Sequence, residues 1–182
     1  MAAARGAQTE KVKRAPSKNK VILTVFFDHK GIILQNYRPY GSTITADNYI
    51  ELLQKLRKAI RQKRPALWAT QNWVLHHDNA PAHCSLKVSE FLKKHKTSVL
   101  PQPPYSPDLA PCDFFLFDRL KKPLRGKHFA TEAEIETNGR AVLNTIQKDE
   151  FSRCFQDWKQ RWQRCVGVHG DYFEGDKVEL DE

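Results

Sequence analysis

At 182 residues the chain has the length of one domain, and 40% hydrophobic residues with ten Phe, five Tyr and four Trp suffice for one core, which excludes a long disordered chain. Thirty Lys and Arg against 21 Asp and Glu leave a net charge of +9. That balance belongs to a chain that meets a polyanion, with nucleic acid ahead of an anionic membrane surface.

In chain order, residues 1–20 carry six Lys/Arg and one acid with no apolar period, and read as a disordered basic arm. Val21-Ile22-Leu23-Thr24-Val25-Phe26-Phe27 is a β-branched and aromatic run; Asp28-His29-Lys30-Gly31 is turn chemistry, and Ile32–Tyr37 resumes the pattern. This predicts a hairpin whose near-continuous apolar first strand is buried on both faces. Thr45 caps a predicted helix with Tyr49, Leu52, Leu53, Leu56 and Ile60 on its apolar face. Its other face presents Lys55, Arg57, Lys58, Arg61, Lys63 and Arg64, either a solvated surface or a phosphate-binding one.

Trp73–His77 reads as a short strand leading to Asp78, with a turn at Asn79-Ala80-Pro81, a helix over 85–96 and a strand over 97–100. Residues 101–111 hold five of the ten prolines, a stiff non-helical loop that delivers Cys112 and Asp113 to an aromatic helix beginning Phe114-Phe115. Thr131-x-x-Glu134 opens a helix toward Ile146. Phe151, Phe155, Trp158, Trp162 and Val166 form a core-facing stripe on a last helix, and the tail from Asp171 is acidic and frayed. The alternation predicts an α/β domain with one mixed sheet and helices against it.

No run reaches the roughly 18 apolar residues of a membrane span, and the N-terminus lacks a secretory signal's apolar stretch. The protein is therefore expected inside the cell, away from membranes. Cys84, Cys112, Cys154 and Cys165 lack a CxxC pair and fit reduced thiols. His76, His77, His83 and Cys84 crowd Asp78, but zinc sites need paired ligand spacings from two elements. Phosphate-loop, dinucleotide and serine-hydrolase motifs are missing from the sequence.

Asp78 at a strand end and Asp113 at a helix start are where an α/β sheet exposes functional groups. Two such acids, brought together, suit Mg²⁺, which takes one or two carboxylates plus water and phosphate oxygens. Taken singly, an Asp at a strand end or capping a helix is more often structural.

The text around them carries more. His77-Asp78-Asn79-Ala80-Pro81-Ala82-His83 and Tyr105-Ser106-Pro107-Asp108-Leu109-Ala110-Pro111-Cys112-Asp113 resemble the two signature blocks of mariner-type DNA transposases, in the same order and with the mariner interval of 34 residues between the acids. The likeness extends over about residues 20–174. It implies a ribonuclease-H-like fold, Mg²⁺ (or Mn²⁺) if the chain is active, DNA as partner, a nuclear location and no small-molecule cofactor. Asp78 and Asp113 map onto the second and third acids of the catalytic triad; Asp108 matches a motif position that is not a metal ligand.

The same resemblance places the first catalytic Asp, its central strand and the helix-turn-helix modules upstream of this sequence. The expected organisation is an arm (1–20), a truncated catalytic domain lacking the first strand (21–174) and an acidic tail (175–182). The strands at 21–27 and 73–77 then either close up, accept a partner's strand, or leave the fold marginal. Three functions follow: a DNA-binding remnant without autonomous catalysis; an active transposase or endonuclease whose third carboxylate comes from Asp28 or a partner chain; or a non-catalytic dimerisation or scaffold module. The partner chain is a second copy or a full-length transposase-like protein.

Overall fold

The computed structural model describes residues 20–167; the basic arm and the acidic tail lie outside the described residues. Strand β1 (Val21–Asp28) pairs antiparallel with β2 (Gly31–Pro39), with a bulge at Phe26/Phe27. His29 and Lys30 make the turn; the Asp28 carboxylate accepts the Lys30 N–H at 2.8 Å, and Gly31 takes φ +120°, a value that side-chain-bearing residues rarely adopt.

Helix α1 (Ala46–Lys63) begins where predicted, because Thr45 accepts the Asn48 N–H and Asn48 answers with its own side chain at the Thr45 N–H. Its five predicted apolar positions are all buried. With Ile33 of β2, Leu75, Val88 and Leu92 they form one core against the hairpin. Pro65 starts a short helix that the sequence pattern does not reveal, α2 (Pro65–Thr70). Strand β3 (Val74–His76), helix α3 (Leu86–Lys94, capped by Ser85) and strand β4 (Ser98–Leu100) follow, β4 lying parallel to β3.

The Pro-rich loop contains a 3₁₀ turn (Pro107–Leu109) and runs into a π-helical turn (Cys112–Leu116) that continues as α4 (Phe117–Leu124). Helices α5 (Glu132–Thr145) and α6 (Lys148–Gly167) complete the chain. Thr131 caps α5 as the capping pattern requires, while Glu134 reaches the N–H of Ala130. Leu116, Leu120, Leu143 and Phe151 pack with Val25 in a second core on the opposite face of the hairpin. The hairpin thus lies between two helical layers, each buried aliphatic side chain contributing about 1.5–3 kcal/mol.

Three expectations need correction. Among the described residues the strands form two separate two-stranded sheets, β1–β2 and β3–β4, and not one mixed sheet. Among these residues no strand bridges β1 and β3, so the ladder stops on both sides of a cleft of about 160 Å³ lined by Val25, Phe27, Ile33, Leu75, His76 and Phe155, among others. For the same reason β1 is mostly half-buried rather than covered on both faces, Val25 alone being buried. Val166 is 73% exposed, because the last turn of α6 runs past the core it was expected to join.

Candidate active site

Asp78 lies just beyond the end of β3, in the loop before α3. Its carboxylate accepts the Ala80 N–H at 3.1 Å and the His83 Nδ1–H at 2.6 Å, closing a tight turn around the acid. His83 is fixed from behind by aromatic stacking: its ring lies 3.8 Å from that of Tyr49 and 5.4 Å from that of His77. Tyr49, buried on α1, donates its O–H to His77 Nδ1 at 3.0 Å. Burial, followed by the charge of His83, pushes His77 down to about 4, so it is a neutral acceptor at physiological pH. Burial also raises the Tyr49 phenol, with Asp78 adding to the effect.

Asp113 is brought up by the Pro-rich loop. Asn79, beside Asp78, donates its side-chain amide to Gln102 O at 2.8 Å, and His76 Nδ1 donates to Leu100 O at 3.1 Å. From the other side, the Trp158 indole N–H reaches Leu109 O at 2.8 Å, and Arg161 donates to Asp108 O at 3.2 Å while stacking 4.3 Å over Phe114. The loop is held between the Asp78 turn and α6. Fully buried Leu116 then anchors the π-helical turn that exposes Asp113. Tyr105 stands fully exposed on this loop at φ +54°.

The two acids sense one another. The His83 hydrogen bond holds Asp78 below the usual carboxylate range, against the opposing effect of burial. Burial raises Asp113, the negative charge of Asp78 raises it further, and Lys121 works in the other direction. Cys112 between them is pushed up to about 12 by burial and then by both carboxylates, which leaves it a neutral thiol. Carboxylates perturbed in opposite directions within one small site mark it as a candidate functional site.

Both acids are solvent-exposed and keep free oxygens, so the pair suits a Mg²⁺ ion that completes its shell with water and phosphate oxygens. Among the described residues no group of three or more His, Cys, Asp or Glu is placed to hold a metal. The ring nitrogens near Asp78 are committed elsewhere: His77 to Tyr49, His83 to Asp78, His76 to Leu100. Asp28, the alternative third acid, is not available. Arg64 grips both of its oxygens, at 2.7 and 2.9 Å, with both side chains largely buried. Burial raises Asp28, but Arg64 and the Lys30 N–H outweigh it and hold the acid below its usual range.

The basic face of α1 divides in two. Lys55, Lys58 and Arg61 are exposed. Arg57 instead lies 5.0 Å over Trp68 and donates to His95 O and Thr97 Oγ1, Lys63 reaches Ile33 O at 2.8 Å, and Arg64 holds Asp28. A second exposed basic stretch, Lys121 and Lys122 in the last turn of α4 with Arg125 and Lys127 just beyond it, lies downstream of Asp113. The sequence reading missed it because Asp113 and Asp118 nearby balance the local charge. It also took Tyr49 for an apolar position; the signal was the hydroxyl, which a buried Tyr must satisfy.

A family model described as Transposase (partial DDE domain) matches residues 3–70. The chain is 31% identical over 156 residues to the Mariner Mos1 transposase of Drosophila mauritiana, covering 85% of this chain and 45% of that protein. It is 30% identical over 155 residues to the human histone-lysine N-methyltransferase SETMAR, covering 85% of this chain and 23% of that one. The chain therefore spans less than half the length of either relative. The solved Mos1 catalytic domain with Raltegravir and Mg superposes with TM-score 0.79 at 31% identity, covering 85% of this chain and 77% of that chain; the form with Mn is covered to 80%. A pre-cleavage Mos1 transpososome superposes with TM-score 0.84 at 28% identity, covering 96% of this chain and 52% of that one.

The fold is thus ribonuclease-H-like. Within that class, the chain belongs to the mariner-type transposases and corresponds to their catalytic domain.

Proposed function

We propose that this chain is a DNA-binding module of transposition that holds two of the three acids of a mariner site and does not cut DNA by itself. One observation carries the reading: Asp78 and Asp113 are brought within electrostatic reach of each other, while no third ligand joins them among the described residues. Mos1 has been solved with Mg, with Mn and as a pre-cleavage transpososome, which supports a divalent metal and transposon DNA as ligands here. The paired-end complexes of Mos1 support a dimer, a second copy or a transposase-like chain being the partner. The reading also places the protein in the nucleus.

In this scheme Asp78 and Asp113 hold the metal, which when bound polarises the phosphodiester and lowers the pKa of a coordinated water. His83 fixes the Asp78 carboxylate; Tyr49 and His77 fix His83. Exposed Lys55, Lys58 and Arg61 on α1, with Lys121, Lys122, Arg125 and Lys127 at and beyond the end of α4, engage backbone phosphates without reading sequence.

Labelled transposon-end duplex incubated with the purified chain and Mg²⁺ or Mn²⁺ should be retained in a salt-sensitive complex and stay intact. Cleavage that disappears in Asp78→Asn or Asp113→Asn would instead establish the active-enzyme reading. Intact protein that fails to retain DNA at low salt would leave only the scaffold reading.

A further inference from the structure

Asp113 and Lys121 stand eight residues apart on one helical segment, the π-helical turn Cys112–Leu116 continued by α4. In an unbroken α-helix eight residues turn through about 800°, which would leave Lys121 roughly 80° out of line with Asp113. The Phe117 N–H instead bonds back five residues to Cys112 O, and the wider turn takes up most of that angle. Asp113, Phe117 and Lys121 therefore share one face. The Lys121 ammonium lies over the Phe117 ring, 5.5 Å from its centre. Helical side chains lean toward the N-terminus, so this contact directs the ammonium back along the helix toward Asp113. Its charge is felt there, since Lys121 draws the raised Asp113 pKa down.

The neighbouring cations are engaged or point elsewhere. Lys122 is a further step of about 100° around the helix and pairs with Asp118 at 3.5 Å. Arg119 pairs with Glu150 of α6, and Arg125 and Lys127 lie past the last turn of α4. Lys121 is exposed and forms no ion pair among the described residues. The Phe117 ring fixes its direction and leaves its three N–H donors free.

We propose that Lys121 clamps the DNA phosphate bound at the acid pair, donating to one non-bridging oxygen while another meets the divalent cation held by Asp113. The inference rests on the metal-binding reading of Asp78 and Asp113 and adds a second grip on the same phosphate. Over Phe117 the ammonium is about one turn, roughly 5.4 Å, from the level of Asp113. A phosphate fits that interval, its oxygens approaching Mg²⁺ at about 2.1 Å and a charged N–H donor at about 2.8 Å. The other exposed cations meet phosphates along the backbone as separate charges. Lys121 is coupled to the metal through a phosphate that both hold, and such coupling makes its loss and the loss of Asp113 non-additive.

The test is a fluorescent duplex titrated with the full 182-residue chain in Mn²⁺ and in EDTA, at matched ionic strength. The metal-dependent gain in affinity is the part that Asp113→Asn abolishes. Lys121→Ala should remove most of a gain of about tenfold, Lys121→Arg should keep it, and Lys121→Ala with Asp113→Asn should bind in Mn²⁺ about as the worse single variant does. Lys122→Ala should keep the gain and lower only the slope of log K against log salt, by about one. A full gain in Lys121→Ala, or an equal loss in Lys122→Ala, would overturn the proposal. A parent chain that binds duplex with no Asp113-dependent gain would sink the metal pair itself, a failure told apart by being present before Lys121 is touched. Circular dichroism should report the same fold for each variant.

Discussion

His83 Nδ1 lies 2.6 Å from Asp78 Oδ1, and the same imidazole ring stacks on Tyr49 from α1, so a residue 34 positions before His83 helps set the direction of the Asp78 carboxylate. Replacing His83 by Ala should let the Asp78 pKa climb back toward its ordinary value and loosen divalent-cation binding. His83→Gln, which keeps a donor, should restore part of both. Carboxyl NMR titrations and calorimetry with Mn²⁺ read the two effects; an unchanged Asp78 titration in His83→Ala would show that the contact does no electrostatic work.

Asp113 titrates in the opposite sense. An acid whose folded pKa is raised binds its proton more tightly when folded, so its ionised form at neutral pH weighs against the fold. Asp113→Asn should therefore raise Tm at pH 7, and the gain should vanish as the pH falls through the raised pKa. Mg²⁺ should raise Tm of the parent chain and not of the variant. A lower Tm for the variant at pH 7 would place the acid in a structural role.

Arg64 was legible only as one of six basic residues on a helix, and the structure gives it to Asp28. Arg64→Ala leaves Asp28 largely buried without its guanidinium partner, and should cost about 2 kcal/mol in urea unfolding. The sign of the pH effect follows from a depressed folded pKa: the stability from Asp28 is present above its unfolded value of 3.8 and is lost as pH falls through the lower folded one. Losing Arg64 should move the acid limb of the stability curve to higher pH. Unchanged stability from pH 3 to 7 would contradict this.

The remaining basic residues separate by the same logic. Lys55, Lys58 and Arg61 changed singly to Ala should leave Tm within about 0.5 kcal/mol of equivalent stability and lower the slope of log K against log salt by about one each for duplex DNA. Arg57→Ala should destabilise the chain, since Arg57 packs on Trp68 and bonds His95 and Thr97. Equal effects of all four on DNA affinity with none on stability would contradict the division.

Much of the fold was visible because its signals are local. The α1 stripe, the Thr45 and Thr131 caps and the hairpin turn at Asp28–Gly31 follow from spacing and side-chain chemistry within a few residues. Asp78 and Asp113 stood out as candidates because the motifs around them are long and correctly spaced. What escaped depends on distant partners: Arg64 reaching back to Asp28, Trp158 holding Leu109 O, and the Tyr49–His77–His83 stack each join residues far apart in sequence. The split into two sheets escaped for a related reason. Strand pattern tells which residues are extended, and only the partner edge decides whether the strands join.

Leu116, fully buried beneath the turn that carries Asp113, offers a check on how the site is supported. Leu116→Ala should cost about 2–5 kcal/mol by cavity formation and displace Asp113, so weaker Mn²⁺ binding should accompany the loss of stability. Stability lost with metal binding unchanged would uncouple the turn from the site.

The central claim is that Asp78 and Asp113 form one metal-binding pair without Asp28 or Asp108. The most direct test is a Mn²⁺ titration of the chain with ¹³C-labelled Asp carboxyls. Broadening of Asp78 and Asp113 together at one Mn²⁺ concentration is predicted, with Asp28 and Asp108 still sharp and with Asp113→Asn abolishing the effect at Asp78. Broadening of Asp28 alongside them, or of Asp78 and Asp113 at clearly separate concentrations, would contradict it.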